Sequence, residues 1–210
     1  MNIEEQLALL QSKLQELKKL DRWKKVFGAK RHKYKLNKVK TESELKEFEE
    51  KYAITLPKDY RMYLLLVGNG GAGPYYGLET LEDSLYVDLD YKRENEFLNP
   101  SLPFEITEAW NMDYKGDPDN EDEYEKFEEV YFDDKWTNGL IRICNFGCGV
   151  SMNLVVNGPE YGNIWVDDRG SDGGIYPDPY FEQTGRTTFL EWYNLWLKKS
   201  LGEAKSGNFN

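Results

Sequence analysis

Apolar side chains recur at helical spacing in several stretches of this chain. Near the N-terminus they alternate between intervals of four and three residues, which predicts an amphipathic helix: Ile3, Leu7, Leu10, Leu14 and Leu17. Two heptads are too few for an independent coiled coil. We therefore expect this helix to pack on its own domain, with a dimer seam or a partner helix as the alternative.

Two further helices are predicted before residue 70. Thr41 and Glu44 have the spacing of a capping box, so a helix should begin there. The next helix should begin with Pro57 at its first position, where the missing N–H costs nothing. Gly68 should end it as a C-terminal glycine.

The glycine-rich run VGNGGAGPYYG occupies residues 67–77. A phosphate-binding glycine loop follows a strand and opens a helix. Here the predicted order is helix, glycines and then a strand over residues 76–81, and no GK[ST] or GxGxxG follows. The pattern therefore favours a tight reversal at a helix end over a phosphate site.

The C-terminal half predicts strands and two helices. Most of residues 121–136 has helical spacing, and strands are expected over residues 140–146, 151–157 and 163–167. Thr188 and Glu191 form another capping box, which opens a final helix with a wide aromatic face. We expect a flexible tail at residues 202–210 and an α+β domain, its mixed, mostly antiparallel sheet flanked by helices.

Charge is unevenly distributed along the 210 residues. Residues 1–40 hold 12 Lys/Arg and 4 Asp/Glu, whereas the remainder holds 15 and 34, giving net charges of +8 and −19 that sum to −11. Because residues 41–210 are so acidic, we expect this part of the chain, here called the acidic body, to repel nucleic acid and attract a basic partner. We interpret the Lys/Arg-rich residues 18–40 as a solvated connection, with a nucleic-acid arm as the alternative.

No feature of the sequence predicts a catalytic residue, a cofactor or a metal. His32 is the only histidine, and no GxSxG motif accompanies it. Cys144 and Cys148 lack the further ligands that zinc requires, so we interpret them as buried thiols on adjacent strands. Neither aspartate-rich loop, at residues 117–122 or 167–173, has a calcium-binding spacing. Paired carboxylates for a hydrolase stay open as an alternative. Lacking a signal or membrane segment, the chain is expected to be cytosolic.

The remaining functional candidate is the stretch of residues 113–134, here called the acidic segment. It carries 11 Asp/Glu against Lys115 and Lys126, and aromatic residues are interleaved with the charges. The plain interpretation is a solvated helix face. The alternative is a surface for a positively charged protein, since charge steers association and aromatics anchor it.

Three stretches of the chain resemble the SMI1/KNR4 family of the SUKH superfamily: ESELKEFEEKYAITLPKDYRMYLLLVGNGGAGPYYGLETL, LIRICNFGCGVSMNLVVNGPEYGNIWVD and the final F-x-x-W-Y-x-x-W-L helix. The resemblance covers roughly residues 32–197. It implies an α+β fold in which these residues are fold positions: Leu56, Pro57, Asn69, Gly70, Gly71, Gly147, Cys148, Gly149, Trp165 and Asp167. We accordingly expect a basic helical extension over residues 1–31, a SUKH-like domain over residues 32–201 and an acidic insertion at about residues 111–136.

The resemblance also implies a function without catalysis. Many bacterial members of this family resemble immunity proteins that neutralise polymorphic toxins, often nucleases, whereas fungal members resemble regulators or scaffolds. We therefore expect an immunity-type protein with no cofactor, no direct nucleic-acid binding and no membrane partner, which binds a basic toxin domain. The residues expected to bind that partner are Asp117, Asp119, Glu121, Asp122, Glu123, Tyr124 and Glu125. An intracellular scaffold that uses the N-terminal helix is the alternative.

Overall fold

The computed structural model describes residues 1–117, 119–179 and 185–209. Its helices are α1 (Ile3–Leu20), α2 (Ala29–His32), α3 (Glu42–Tyr52), α4 (Lys58–Leu66), α5 (Glu121–Tyr131) and α6 (Phe189–Ser206). Its strands are β1 (Leu140–Gly147), β2 (Val150–Val155), β3 (Ile164–Asp167) and β4 (Ile175–Pro177). None of the helices in these residues has both the length and the apolar character that a membrane span requires.

The four strands form one sheet in the order β1-β2-β3-β4. Every neighbouring pair is antiparallel, so this sheet is antiparallel throughout rather than mixed. β4 was not predicted, because it is only three residues long and includes a proline. Otherwise the expected α+β class, with helices packed on a mostly antiparallel sheet, is confirmed.

The two faces of the sheet differ in what covers them. On one face lies the main core, to which α1, α4 and α6 contribute their apolar sides. The other face carries a small cluster of buried apolar residues: Phe104, Leu140, Val155, Trp165 and Ile175. The acidic segment belongs to this second face, because Tyr131 of α5 stacks on Trp110, which packs against the small cluster.

The N-terminal helix packs on its own domain, as expected. Its heptad leucines Leu7, Leu10, Leu14 and Leu17 are at most 1% exposed and belong to the main core. Asn2 and Glu5 form a capping box at its start, which the sequence analysis did not identify. The apolar stripe is therefore already occupied and cannot serve as a dimer seam or a docking face for a partner helix.

The glycine-rich run is a turn after a helix, but three details of its prediction are wrong. Pro57 is the N-cap of α4 rather than its first residue. Gly68 does not take the left-handed conformation, which occurs instead at Gly70 and Gly71. Residues 76–81 form no strand, only bridges of Leu78 to residues 71 and 144.

The basic stretch is not a solvated connection. Residues 21–28 form a turn around the buried carboxylate of Asp21, and α2 then places Ala29 and His32 inside the protein. Tyr34 is also buried, and its hydroxyl donates to Asp21 Oδ2 at 2.6 Å. The prediction failed because the few apolar residues among the cations suffice to anchor the stretch.

The ends of two other elements also differ from the prediction. α6 continues through Gly202 to Ser206, so residues 202–206 are helix rather than flexible tail. A glycine in a helix costs about 1 kcal/mol, which long helices tolerate. Cys144 is buried, but Cys148 is exposed in the β1–β2 turn, so the expectation of two buried thiols is wrong for Cys148.

Candidate functional site

The acidic segment forms α5 and the loop that precedes it. Asn120 caps the helix, and its side-chain oxygen accepts the Glu123 N–H at 3.3 Å. Three carboxylates occupy the first turn, where the positive end of the helix dipole favours negative charge. Every predicted partner-binding residue is exposed: Asp117, Asp119, Glu121, Asp122, Glu123, Tyr124 and Glu125.

Few of the charges in this segment are neutralised. Of its 11 carboxylates, only Asp133 makes an ion pair within the described residues, with Lys135 at 3.0 Å. The two lysines within the segment, Lys115 and Lys126, make no salt bridge to any described residue. The segment therefore presents a nearly uncompensated negative surface to solvent.

A row of aromatic rings holds α5 to the domain. Tyr114 meets Tyr124 at 5.2 Å and Phe127 at 5.3 Å between ring centroids, and Phe127 stacks on Tyr131 at 5.4 Å. Tyr131 in turn stacks on Trp110 at 5.6 Å. Because Tyr131 is buried while Tyr124 is 42% exposed, the helix is anchored at its C-terminal end.

Arg169 caps that anchored end. Its Nη1 donates to the Tyr131 carbonyl oxygen at 3.0 Å and to the Asp133 carbonyl oxygen at 3.4 Å. A cation is favourable at a helix C-terminus, where backbone carbonyls lack partners. The guanidinium also lies 5.8 Å from the ring of Phe132, just beyond the helix. The position of α5 therefore depends on the position of Arg169.

Asp167 fixes Arg169. Its carboxylate accepts Arg169 Nε at 2.8 Å and Nη2 at 2.9 Å, and it also accepts Arg142 Nη2 at 3.1 Å. Burial alone would raise the pKa of Asp167, but the two arginines lower it to about 2. Arg142 donates as well to Ser151 and Asn153 on β2. Asp167, expected only as a fold position, thus links the sheet to the acidic segment.

A cleft of about 240 Å³ opens beside the end of α5. Its floor includes the side chains of the Asp167 network, and Phe132 forms part of its wall. Three further carboxylates line it and make no ion pair with any described residue: Asp88, Asp90 and Asp134. The acidic surface therefore continues from α5 around this cleft.

The two glycines of the NGG motif, Gly70 and Gly71, lie at positions where a side chain would clash with backbone. Gly71 has a φ of +103°, and a Cβ there would lie 2.4 Å from the Lys35 carbonyl oxygen. Asn69 accepts the Leu81 N–H at 2.8 Å and donates to Glu82 at 2.9 Å, which closes the same turn. These contacts explain the NGG motif by backbone packing, and none of them forms part of the acidic surface.

The only histidine is placed for packing. His32 is buried edge-on against Trp196, and its Nδ1 accepts the Tyr34 N–H at 3.1 Å. Desolvation lowers its pKa to about 4, so the ring is neutral at physiological pH. Within the described residues, no three His, Cys, Asp or Glu side chains are arranged to hold a metal ion.

Sequence reasoning missed four residues that shape this surface. They lie far apart in the chain and meet at one cleft: Arg142 on β1, Arg169 just after β3, and Asp88 and Asp90 in the loop before α5. One signal was available for Arg169. It follows Asp167 by two residues directly after a strand, a spacing that lets the two side chains pair.

The comparisons with known proteins identify a family. The model of the SMI1 / KNR4 family (SUKH-1) matches residues 40–183. A search of curated proteins and a search of solved structures found no match. The family match covers more than half of the chain and includes the NGG, GCG and W-x-D motifs. The chain therefore belongs to the SMI1 / KNR4 family (SUKH-1).

Proposed function

We propose that this chain is an immunity-type protein that neutralises a basic toxin domain by covering it with the acidic segment. The observation that carries the proposal is that, among the residues the structure describes, nearly all of the 11 carboxylates of the segment lack a counter-ion. Membership of a family that includes immunity proteins supports it. Occlusion requires no chemistry, so the protein acts without turnover, cofactor or metal.

The surface has the features of a protein-binding site. An uncompensated charge raises association rates with an oppositely charged partner by about 10- to 1,000-fold. Aromatic side chains then supply anchors in the contact itself. Tyr124 and Phe132, which are 42% and 45% exposed, lie on α5 and just after it, among the carboxylates. A nuclease domain is a suitable partner because it must carry positive groups to bind phosphate.

The way α5 is held also suits binding. Its C-terminal end is fixed by Tyr131 and Arg169, and the exposed carboxylates of the first turn lie at the opposite end of the helix. A helix that is already formed and capped loses little conformational entropy when a partner covers it. The same geometry leaves room for a partner to reach the cleft beside Phe132.

The test is binding to the toxin domain encoded beside this chain, with a neutralised variant and a matched control. The variant replaces four carboxylates of α5: Glu121→Gln, Asp122→Asn, Glu123→Gln and Glu125→Gln. The control removes four exposed carboxylates elsewhere: Glu4→Gln, Glu47→Gln, Glu94→Gln and Glu105→Gln. Both changes alter the net charge by four units, so only the position differs.

The α5 variant should bind at least about 10-fold more weakly, since each close charge pair couples by about 1.5–7 kcal/mol, and the control should change affinity less than about 3-fold. Equal losses for both variants would show that net charge rather than the acidic segment matters. A folded protein with no affinity for that toxin domain would contradict the immunity role itself.

A further inference from the structure

A second surface of the molecule has the opposite charge. Residues 21–31 follow α1 and include most of α2. We call this stretch, together with Tyr76 and Phe146, the basic corner. Asp21 organises its turn, because its carboxylate accepts the Lys25 N–H at 2.8 Å and the Val26 N–H at 3.1 Å. Asp21 is itself 4% exposed. The turn is therefore held in place by hydrogen bonds to a buried carboxylate.

The turn directs large apolar side chains into solvent. Trp23 is 82% exposed and Phe27 49%, whereas Val26 between them is buried. The ring of Phe27 lies 5.2 Å from that of Tyr76 and 6.2 Å from that of Phe146. Large exposed aromatics on a rigid turn indicate a binding surface, since folding alone gives no reason to expose them. The rings of Trp23, Phe27 and Tyr76 line a shallow groove of about 920 Å³.

Cations surround these rings. Arg31 lies 5.3 Å from the centre of the Tyr76 ring, and Lys25 lies 5.5 Å from the centre of the ring of Phe209, which lines the same groove. Five cations of the corner form no salt bridge with any described residue: Arg22, Lys24, Lys25, Lys30 and Arg31. In a chain with 38 Asp and Glu, this lack of neutralisation leaves a strongly positive local field.

We propose that the basic corner binds single-stranded nucleic acid. Bases stack on the exposed faces of Trp23 and Phe27, and the backbone phosphates pair with the surrounding lysines and arginines. A positive groove combined with aromatic platforms is the arrangement that binds single strands without reading their sequence. RNA and DNA share this chemistry, so the binding test includes both.

The charge of the rest of the molecule favours a single strand over a membrane. Beyond residue 40 the chain carries a net charge of −19. A flat anionic bilayer would approach much of that acidic surface, whereas a narrow strand can remain within the positive field of the corner. Screening acts over about 8 Å at physiological salt, so local charge decides which groups the strand meets. The sequence-based expectation of no direct nucleic-acid binding rested on the acidic charge beyond residue 40, and we depart from it for the basic corner.

The experiment titrates the full-length protein into fluorescein-labelled 12-nucleotide oligo(U) and oligo(dT) and follows fluorescence anisotropy. Binding should weaken as salt rises, with a slope of log K against log salt no steeper than about −3.5 for five cations at −0.7 each. The variant Trp23→Ala should lose about 5- to 100-fold in affinity, and Trp23→Phe should retain most of it. Tyr91→Ala is the control, because Tyr91 is an aromatic residue exposed to 75% outside the corner.

A second pair of variants separates local charge from net charge. Lys30→Ala with Arg31→Ala should lower both the affinity and the steepness of the salt dependence, the latter by about 1.4. Lys46→Ala with Lys198→Ala changes the net charge equally and should have little effect. Failure of both oligonucleotides to bind at 50 mM salt would overturn the proposal, as would equal effects of Trp23→Ala and Tyr91→Ala. Binding only to vesicles with 30% anionic lipid would overturn it in favour of a membrane.

Discussion

The acidic segment and the basic corner carry opposite charges, yet a buried aspartate organises each of them. Asp167 holds Arg169, which caps α5, and Asp21 holds the turn that exposes Trp23. Both aspartates are 4% exposed. They differ in their partners, since Asp167 pairs with two guanidinium groups and Asp21 accepts from two backbone N–H groups and the Tyr34 hydroxyl.

Because their partners differ, the two aspartates order residues at different separations along the chain. Asp21 orders residues within 13 positions of itself. Asp167, the last residue of β3, holds Arg169, and Arg169 binds the carbonyl oxygen of Tyr131, which lies 36 positions before Asp167. These contacts connect β3 to the acidic segment. The net charge of −11 describes neither surface. Local anchoring, not overall composition, determines which charges the protein presents to partners.

The largest expected effect comes from Asp167→Asn. Removing one member of a buried ion network leaves the arginines without their counter-charge and should lower the free energy of unfolding by about 3–5 kcal/mol. Urea denaturation measures it. Asp168→Asn is the matched control, because that carboxylate accepts one hydrogen bond, from the Tyr176 hydroxyl at 3.0 Å. Equal losses for the two variants would contradict the special role of Asp167.

Low pH should weaken the same network in the wild-type protein. The folded-state pKa of Asp167 is lowered to about 2, so its stabilising contribution is complete above about pH 5 and is lost as pH falls towards 2. The difference in the free energy of unfolding between the wild type and Asp167→Asn should therefore shrink by about 2 kcal/mol between pH 5 and pH 2. Urea midpoints of both proteins across this range test it, and a constant difference would show that the carboxylate does not titrate there.

Asp21→Asn should have a smaller effect on stability. In one orientation the amide nitrogen faces the Val26 N–H and the Tyr34 hydroxyl, and in the other it faces the Lys25 N–H, so a donor replaces an acceptor in either case, at a cost of about 1–2 kcal/mol. Thermal unfolding checks the cost. A loss as large as that of Asp167→Asn would remove the distinction between the two anchors.

Neutralising the first turns of α5 should affect stability least. The four substitutions of the binding test lie at exposed positions without ion pairs to described residues. Three of them lie in the first turn, where each loses about 0.3–1 kcal/mol of favourable interaction with the helix dipole but relieves repulsion between neighbouring carboxylates, so the free energy of unfolding should change by less than about 1 kcal/mol. Urea denaturation of the variant measures this change. A large destabilisation would mean that these carboxylates serve the fold, and any loss of binding would then have a trivial cause.

Local signals in the sequence predicted much of the fold. The capping boxes at Thr41 and Thr188 located two helix starts, since side-chain caps depend only on neighbouring residues. The leucine stripe located α1, and the family motifs located the hairpin of β1 and β2. β4 and the loop beside the cleft could not be predicted, because long-range contacts hold them and no periodic pattern marks them.

The candidate surfaces were predicted unequally. The acidic segment is conspicuous in sequence because its charges are contiguous, and its helix was expected, although it ends at Tyr131 rather than near residue 136. The basic corner was misinterpreted as a connection. One signal could have corrected this, namely the single aspartate, Asp21, in a run of cations directly after the leucine stripe. A lone acidic residue in such a run is a candidate for a buried organising acceptor.

The measurement that tests the central claim most directly is the association rate constant with the toxin domain as salt increases. We expect the wild-type rate to fall at least about 10-fold between 20 and 500 mM salt, because the acidic segment steers the encounter. The α5-neutralised variant should start lower and fall less, whereas the control variant should follow the wild type. The same salt dependence in the α5 variant and the wild type would contradict the proposal that this segment receives the partner.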